Sequence, residues 1–518
     1  MKKLQKVIYA SVGAFALVLL TQANAQTINQ FTYGDLVVSS VSDQINPGTQ
    51  TAADLDTASP ISLQEFSLNS NGTVNSTVGT FTLPSTISGE YGSASEGILE
   101  DSADGRYMTI MGYGVNASTF NNPANEASFG TSALGQTNSL TGQSVATVPR
   151  TVALITANGG VNTSTQLTGV FNTNNPRSVA TVDGTSFYVS GQGVSGDGTG
   201  GLFYATLGAT TATPINANTT TVTGTTSATA STGTETRAVE IVNTGSGNTL
   251  EASRDFKVSG TPNDATDIRT FTNSSGGLPT SATGLNVNRV LVTTNSGNGG
   301  GNLSSIALPS TGSTPNALNN GVNNAALAST NQKSTATNRN SKFVYLSPEQ
   351  FFYASPSVVY VADSGQPKNG SADAAAEGEG GLQKWVNSAS NGSGTWTLQY
   401  DLSAGLNLYN NDEANSSTPT AAGVTGLFGL TGKVVGGNVE LFATSYGLNE
   451  LSTSYLYSIS DTLSATTAGS ETFTTLESAP AGTLFRGVAF AVPEPSTYAM
   501  MLAGLGLLVV CHKLRRRA

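Results

Sequence analysis

An all-β body is the fold class that the sequence predicts, on three observations. Apolar residues come in short runs of about four to six, separated by Gly, Asn, Asp and Ser, which is typical of strands joined by turns. Between the two chain ends, no stretch keeps the spacing of an amphipathic helix. Charged residues make up only 11% of the chain, which argues against a solvated disordered polymer.

The predicted strand at residues 395–402 shows the pattern most clearly. Its even-numbered residues are apolar and its odd-numbered residues polar, which predicts a strand with one buried face and one solvated face. Other apolar runs predict strands at residues 36–41, 107–111, 152–155, 187–189, 202–204, 238–242, 290–292, 343–346, 358–361, 439–443 and 455–459.

Tight turns precede several of these strands. Asp104-Gly105, Asp183-Gly184 and Gly436-Gly437 predict hairpin turns, because glycine reaches the positive φ that such turns need. The units recur at roughly 50 to 80 residues, which is longer than the ~40 to 50 residues of a standard propeller blade. We therefore expect long inserted loops at residues 206–234, 273–340 (apart from the strand at 290–292) and 374–381.

A literal G-x-G-x-x-G stands at residues 191–196. A dinucleotide site needs a helix directly after this motif, whereas here another strand is predicted to follow. We expect an ordinary loop.

Short strand and turn motifs recur through the body. They are FTYGDLVV at 31–38, LQEF at 63–66, EGIL at 96–99, SADGRY at 102–107, VVYVAD at 358–363, GLQKW at 381–385 and FRGVAF at 485–490. In these motifs the body resembles a family of secreted bacterial and plant propeller-like proteins. We expect a single large β-propeller of roughly six or seven blades over residues 26–491, with residues 36–41 and 487–490 neighbours in one blade that closes the ring. The resemblance carries no chemistry.

The first 25 residues have the features of a secretory signal peptide. Lysines at positions 2, 3 and 6 precede an apolar run at residues 7–20, and Ala23 and Ala25 are the small residues that signal peptidase reads. The body is therefore predicted to lie outside the cytoplasm.

The tail, residues 492–518, combines three features in a fixed order. A turn-forming Pro493-Glu494-Pro495 is followed by an apolar run at residues 498–510. That run has 13 residues, against about 20 for a full membrane span, so it predicts a short hydrophobic helix and a marginal anchor. The basic cluster after it should remain cytoplasmic. It consists of Lys513, Arg515, Arg516 and Arg517.

This tail resembles the PEP-CTERM sorting signal. The resemblance implies export, transient membrane insertion and processing by the membrane peptidase exosortase near Pro493 to Pro495. One alternative is a single-pass anchor that is never cut. A GPI signal is disfavoured because such tails end in apolar residues, not in arginines.

Composition excludes several functions of the body. The only cysteine and histidine, Cys511 and His512, lie in the tail, which excludes disulfides, Cys/His zinc sites, Ser-His-Asp triads and Cys-His dyads in residues 26–492. Seven of the 22 basic residues and one of the 33 acidic residues belong to the two chain ends, which leaves the body with a net charge near −17. Nucleic acids and anionic lipids are therefore not expected partners.

No cofactor is predicted, although calcium is a weaker alternative. Asp101 with Asp104, and Asp363 with Glu377 and Glu379, offer carboxylate oxygens to an extracellular Ca²⁺. Neither set has the spacing of a calcium loop, and an Asp before Gly normally serves the turn itself.

Four aromatic residues form the densest aromatic cluster in the sequence. They could stack against sugar rings, but aromatics at strand spacing more often pack in a core. The four are Trp385, Trp396, Tyr400 and Tyr409.

The leading hypothesis is a non-catalytic exported protein of the cell surface or the exopolysaccharide matrix, which has exosortase and signal peptidase as partners during export and polysaccharide as a possible ligand. The alternative is a secreted carbohydrate-active enzyme, a glycosidase or lyase, that uses two carboxylates about 5 to 9 Å apart. Sequence spacing alone cannot identify such a pair.

Overall fold

The computed structural model describes residues 30–43, 54–121, 132–135, 142–194, 197–217, 236–243, 247–254, 264–296, 348–364, 380–394, 396–406, 408, 423–447 and 451–493. Within these residues the protein is all-β in a propeller-like arrangement, with 25 strands and one short helix, α1 (Ala117–Phe120). The all-β prediction is confirmed.

The largest sheet has nine strands and joins both ends of the described chain. The strand order is β25-β1-β2-β4-β6-β7-β8, with β3 paired to β2 and β5 paired to β6. Its strands are β1 (Leu36–Ser42), β2 (Ala58–Leu68), β3 (Val74–Thr82), β4 (Ser88–Glu90), β5 (Glu100–Asp101), β6 (Tyr107–Tyr113), β7 (Arg150–Thr156), β8 (Val161–Leu167) and β25 (Thr483–Phe490).

Four further sheets have four antiparallel strands each, in the orders β12-β11-β10-β9, β13-β14-β15-β16, β17-β18-β19-β20 and β21-β22-β23-β24. The first two contain β9 (Pro176–Ala180), β10 (Ser186–Gly191), β11 (Gly201–Thr206), β12 (Thr213–Ala217), β13 (Thr236–Asn243), β14 (Asn248–Arg254), β15 (Asp264–Thr272) and β16 (Asn286–Ser296). The other two contain β17 (Pro348–Ser355), β18 (Val358–Asp363), β19 (Gly381–Asn387), β20 (Trp396–Leu402), β21 (Val424–Val435), β22 (Asn438–Gly447), β23 (Tyr455–Thr462) and β24 (Thr474–Ser478).

The predicted turns take the expected backbone form. Gly105, Gly184 and Gly437 have φ values of 68°, 81° and 88°, where a side chain would strain the backbone. In the second turn, Asp183 Oδ1 accepts hydrogen bonds from the main-chain NH (3.0 Å) and the hydroxyl (2.6 Å) of Thr185. The aspartate of this Asp-Gly pair therefore stabilises the turn itself.

The two ends of the body pair directly, as predicted. β1 is antiparallel to β25, with Leu36 opposite Phe490 and Val38 opposite Val488. Leu36, Val38 and Val488 are fully buried in a cluster shared with Phe442 of β22. This pairing covers the edge that β1 would otherwise expose.

The apolar core is divided into layers between neighbouring sheets. One layer packs β6 and β7 against β9–β11, another packs β9–β12 against β13–β16, and a third packs β17–β20 against β21–β24. The innermost strands β5, β9, β13, β17, β21 and β25 contact one another in cyclic order. Face-to-face packing around a common centre is what a propeller requires.

The predicted strands that fall within the described residues are all present, whereas two other predictions are wrong in part. The prediction of a loop over residues 206–234 is wrong in part, because β12 lies within it and pairs with β11. The polar face predicted for β20 is also wrong at Asp401, which is fully buried. Residues 343–346 lie outside the described residues.

Two other expectations concern the glycine motif and the chain ends. The motif at 191–196 lies between β10 and β11, as expected for a loop, although residues 195–196 are outside the described residues. The residues predicted to form the signal peptide and the short C-terminal helix are outside them as well. Among the described helices, none is long and apolar enough to span a membrane.

Candidate functional site in the central cavity

A cavity of about 230 Å³ lies where the six innermost strands meet. It opens to solvent, since Asp101 is exposed and Ile241, Phe352 and Phe490 are half-buried. The polar residues of its wall are Glu100, Asp101, Glu240, Gln350 and Thr431, and the aromatic ones are Phe351, Phe352 and Phe490.

Glu100 is held at the wall by two neighbouring strands. Its Oε1 accepts hydrogen bonds from Gln350 Nε2 of β17 (2.9 Å) and from Ser178 Oγ of β9 (3.5 Å). Gln350 is itself oriented, because its Oε1 accepts a hydrogen bond from the main-chain NH of Leu430 (2.8 Å). Glu100 is only 8% exposed, so its carboxyl is fixed rather than free to follow solvent.

Glu240 stands opposite another carboxylate. It pairs with Glu251 across β13 and β14, so their side chains occupy the same face of the sheet. Glu240 Oε1 accepts a hydrogen bond from the main-chain NH of Phe351 (3.3 Å), and Glu251 Oε2 accepts one from the Tyr353 hydroxyl (2.8 Å). Like charges placed directly opposite each other are destabilising, which makes this pair unusual for a structural element.

Burial raises the pKa of every carboxyl in this group. Burial, followed by repulsion from Glu240 and Asp101, raises the pKa of Glu100 well above its usual range. Burial, followed by repulsion from Glu251, does the same for the pKa of Glu240. Asp101 contacts water through the cavity but is enclosed by protein on its other sides, and desolvation raises its pKa to about 7.

The calcium alternative finds no support in the described residues. Asp104 does not act with Asp101, because its carboxylate accepts hydrogen bonds from Ser102 Oγ (2.7 Å) and Arg106 Nε (2.6 Å) at the turn. Asp363 lies far along the chain beside Asp401, and Glu377 and Glu379 are outside the described residues. No group of three acidic side chains in the described part of the chain is placed to hold one metal ion.

The sugar-stacking alternative is wrong for two of its four aromatics. Trp385 is 2% exposed, and its Nε1 donates to Gln383 Oε1 (2.8 Å). Tyr400 is fully buried, with its hydroxyl in a polar network. Trp396 is half-buried and packs edge-on against Tyr353, with ring centroids 6.0 Å apart. Tyr409 is outside the described residues.

The predicted targeting residues lie almost entirely beyond the described chain. Pro493, the last described residue, is buried, and Ala491 before it donates its main-chain NH to Asp35 O (2.8 Å). The part of the tail that the structure describes is therefore attached to the body up to Pro493. The residues outside are Ala23, Ala25, Glu494, Pro495, Lys513, Arg515, Arg516 and Arg517.

Residues 491–517 match the PEP-CTERM protein-sorting motif. The chain therefore carries this motif at its C-terminus, as the sequence analysis expected. The motif implies an exported, surface-associated protein and coarsely implies exosortase as a processing partner. No curated protein matches the chain.

Three solved structures show distant similarity to the chain. A GH43 endo-arabinanase from Bacillus licheniformis is 12% identical, with 55% of this chain and 70% of that chain covered and a TM-score of 0.27. A GH32 β-fructofuranosidase from Bombyx mori, in complex with sucrose, is 7% identical, with coverages of 61% and 54% and a TM-score of 0.28. An ancestral GH74 enzyme is 9% identical, with coverages of 87% and 63% and a TM-score of 0.25. Scores this low carry no argument about function.

Sequence reasoning missed Glu100, Glu240 and Gln350. They are separated by up to 250 residues, so no local spacing joins them. A weaker signal was available, because Glu240 interrupts an apolar run between Val239 and Ile241. An acidic residue inside an apolar run indicates that this face of the strand borders a polar environment and not only the apolar core.

Proposed function

We propose that this protein is a non-catalytic exported component of the cell surface or the exopolysaccharide matrix, sorted by the exosortase route. The sorting motif at residues 491–517 is the observation that carries the proposal. In this proposal residues 1–25 are a signal peptide removed by signal peptidase, residues 26–491 are the functional body, and residues 492–518 form a tail with a short membrane helix.

We further propose that the body is a six-bladed propeller with long inserted loops. The cyclic contacts of six innermost strands support this count. The nine-stranded sheet would then supply two blades, with β2 shared between them: residues 62–68 pair with β3, whereas residues 58–60 pair with β4. An experimental structure of the exported protein tests the number of blades.

Mass spectrometry of the exported protein tests the sorting proposal. We expect a new N-terminus at Gln26 and a C-terminus near Pro493 to Pro495. In a strain without exosortase, the tail should remain and the protein should stay with the membrane fraction. Exported protein that keeps Arg515 to Arg517 in the wild-type strain would show a plain anchor instead.

The second candidate, a carbohydrate-active enzyme, is favoured by the carboxylates of the central cavity. Glycoside hydrolysis needs one protonated acid and one ionised carboxylate, which an enzyme obtains by driving their pKa values apart. The pKa values of Glu100, Asp101 and Glu240 are all raised, so none of the three is shifted in the opposite direction to the others. This uniform shift is why we rank catalysis second.

An activity assay separates the two candidates. Exported protein is incubated with the polysaccharide of the producing bacterium, and the release of reducing ends or of unsaturated products is measured. We expect none above that of a Glu100→Gln control. Release that is abolished by Glu100→Gln would establish the enzyme.

A further inference from the structure

The central cavity concentrates carboxyl groups without a base in its wall. Glu100, Asp101 and Glu240 line it, whereas no Lys or Arg does so among the described residues. The base that follows the lining residue Gly432 is Lys433, whose Nζ already pairs with Glu440 Oε2 at 3.2 Å. Ionisation of any one of the three carboxyls therefore disfavours ionisation of the others, with no counter-charge in the described wall.

Glu100 also directs an unused acceptor towards this space. The side chain is more than nine-tenths buried, and both of its hydrogen bonds end on Oε1. No donor in the described part of the chain reaches Oε2. Oε2 is not one of the buried side-chain atoms that lack a hydrogen-bond partner, so it is open to the cavity, where a ligand N–H can reach it.

Aromatic rings form the other part of the wall. Phe351 and Phe352 are adjacent on β17, and Phe490 is the last residue of β25. Phenyl rings accept the carbon chain of a ligand, and their faces attract cations. The ammonium of Lys433 lies 5.5 Å from the Phe490 ring centroid, which shows that a cation already occupies such a position beside the cavity.

The arrangement selects the class of cation. No group of three acids among the described residues is placed to hold one metal ion, which favours a larger, organic cation. A space of about 230 Å³ is smaller than the roughly 300 to 1,000 Å³ of pockets for drug-sized ligands, which excludes a long polymer segment inside it. Carboxylates beside phenyl rings suit an ammonium group on a short carbon chain.

We propose that the central cavity binds an organic ammonium compound, either a primary amine or a short diamine. Glu100 and Glu240 are the counter-charges, and Asp101 stands at the mouth, where the ligand enters. The phenylalanines enclose the carbon chain. The net negative charge of the body favours the approach of such a cation.

Isothermal titration of the exported protein with 1,4-diaminobutane tests the proposal. Glu100→Gln and Glu240→Gln should each weaken binding more than about tenfold, because each removes a counter-charge from the cavity wall. Asp183→Asn is the matched control, since it neutralises an exposed carboxylate in a turn between β9 and β10, and it should bind like the wild type. Binding that is unchanged in the Glu100→Gln, Glu240→Gln double variant would overturn the proposal.

A neutral ligand of the same length provides a second test. 1,4-Butanediol keeps the carbon chain and two polar ends but lacks the charge, so it should not bind measurably. Equal binding of the diol and the diamine would mean that the cavity takes polyols, which contradicts the proposal. A thermal melt of each variant checks that the fold persists.

Proton release is a readout that needs no variant. The groups facing Glu100 are Asp101 on its own strand, Glu240 on β13, Gln350 on β17 and Ser178 on β9, so no described base pre-ionises it. An ammonium ligand should ionise these carboxyls, and titration in two buffers of different ionisation enthalpy at pH 6.5 should show protons released. Binding without proton release would contradict the assignment.

Discussion

Two groups of buried acids in this protein have opposite surroundings. In the layer between the β17–β20 and β21–β24 sheets, Asp461 is paired with Lys384, with 2.9 Å between Oδ2 and Nζ and no exposure of either side chain. In the central cavity, Glu100 and Glu240 face each other's negative charge instead. Asp461 and Glu100 are both buried, but only Asp461 has a counter-charge beside it.

The Lys384 network satisfies every strong donor. Lys384 Nζ also donates to Tyr400 Oη (3.0 Å) and to the main-chain oxygen of Thr462 (2.7 Å). Tyr360 donates to Asp461 Oδ2 at 2.6 Å, and Tyr400 donates to the same carboxylate. Such a closed network fixes the packing of two sheets and has no room for a ligand. The contrast distinguishes a buried ion pair that stabilises the fold from carboxyl groups that have no counter-charge within the described protein.

The largest effect should come from breaking the closed network. Lys384→Met should destabilise the protein by about 3–5 kcal/mol, because it leaves Asp461 buried without its counter-charge. Denaturant unfolding followed by fluorescence measures the change. The double variant Lys384→Met, Asp461→Asn removes the orphaned charge and should recover part of the loss. A double variant that is as unstable as the single one would show that lost packing, not charge, is responsible.

Neutralising Glu251, the acid that pairs with Glu240 across β13 and β14, should change stability in the opposite direction. Burial raises the pKa of Glu251 to about 7, from 4.5 in the unfolded chain. The folded state therefore keeps a proton that the unfolded state loses, so this residue reduces stability as pH rises from about 4.5 to 7. Glu251→Gln, which keeps an acceptor for Tyr353, should be neutral at pH 4 and stabilising by about 1–3 kcal/mol at pH 8.

Unfolding curves at the two pH values measure this difference. Asp183→Asn is the control of opposite sign, because hydrogen bonds from Thr185 lower the pKa of Asp183. Its contribution is present above the unfolded pKa and is lost as pH falls through the lower folded value. If Glu251→Gln instead loses stability at pH 8, Glu251 stabilises the fold, as Asp461 does.

The sequence could predict strands and turns because these depend on neighbours. The alternation of apolar and polar residues predicted β20 correctly, and the Asp-Gly and Gly-Gly pairs predicted three hairpin turns. Asp401 shows the limit, because its strand is covered on both faces by neighbouring sheets, which a half-buried pattern does not foresee. The same covering buried Trp385 and Tyr400, so the predicted sugar platform was wrong.

The cavity could not be predicted for a topological reason. Glu100 and Gln350 become neighbours only because the six innermost strands meet in cyclic order, and a ring has no signature in local spacing. The pairing of β1 with β25 was predicted because edge strands need a partner, which is a constraint on the whole chain. The closure of the ring could therefore be predicted from the sequence, whereas the residues that face the central cavity could not.

The smallest effect should come from an exposed ion pair, which provides the baseline of the comparison. Lys433 pairs with Glu440 across β21 and β22, but its side chain is 40% exposed. Solvent already compensates both charges, so Lys433→Met should change stability by no more than about 1 kcal/mol, and less at high salt. Denaturant unfolding at low and at 0.5 M salt measures this. If Lys433→Met lost as much stability as Lys384→Met, burial would not determine how much an ion pair stabilises this fold. The distinction between the two groups of buried acids would then fail as well.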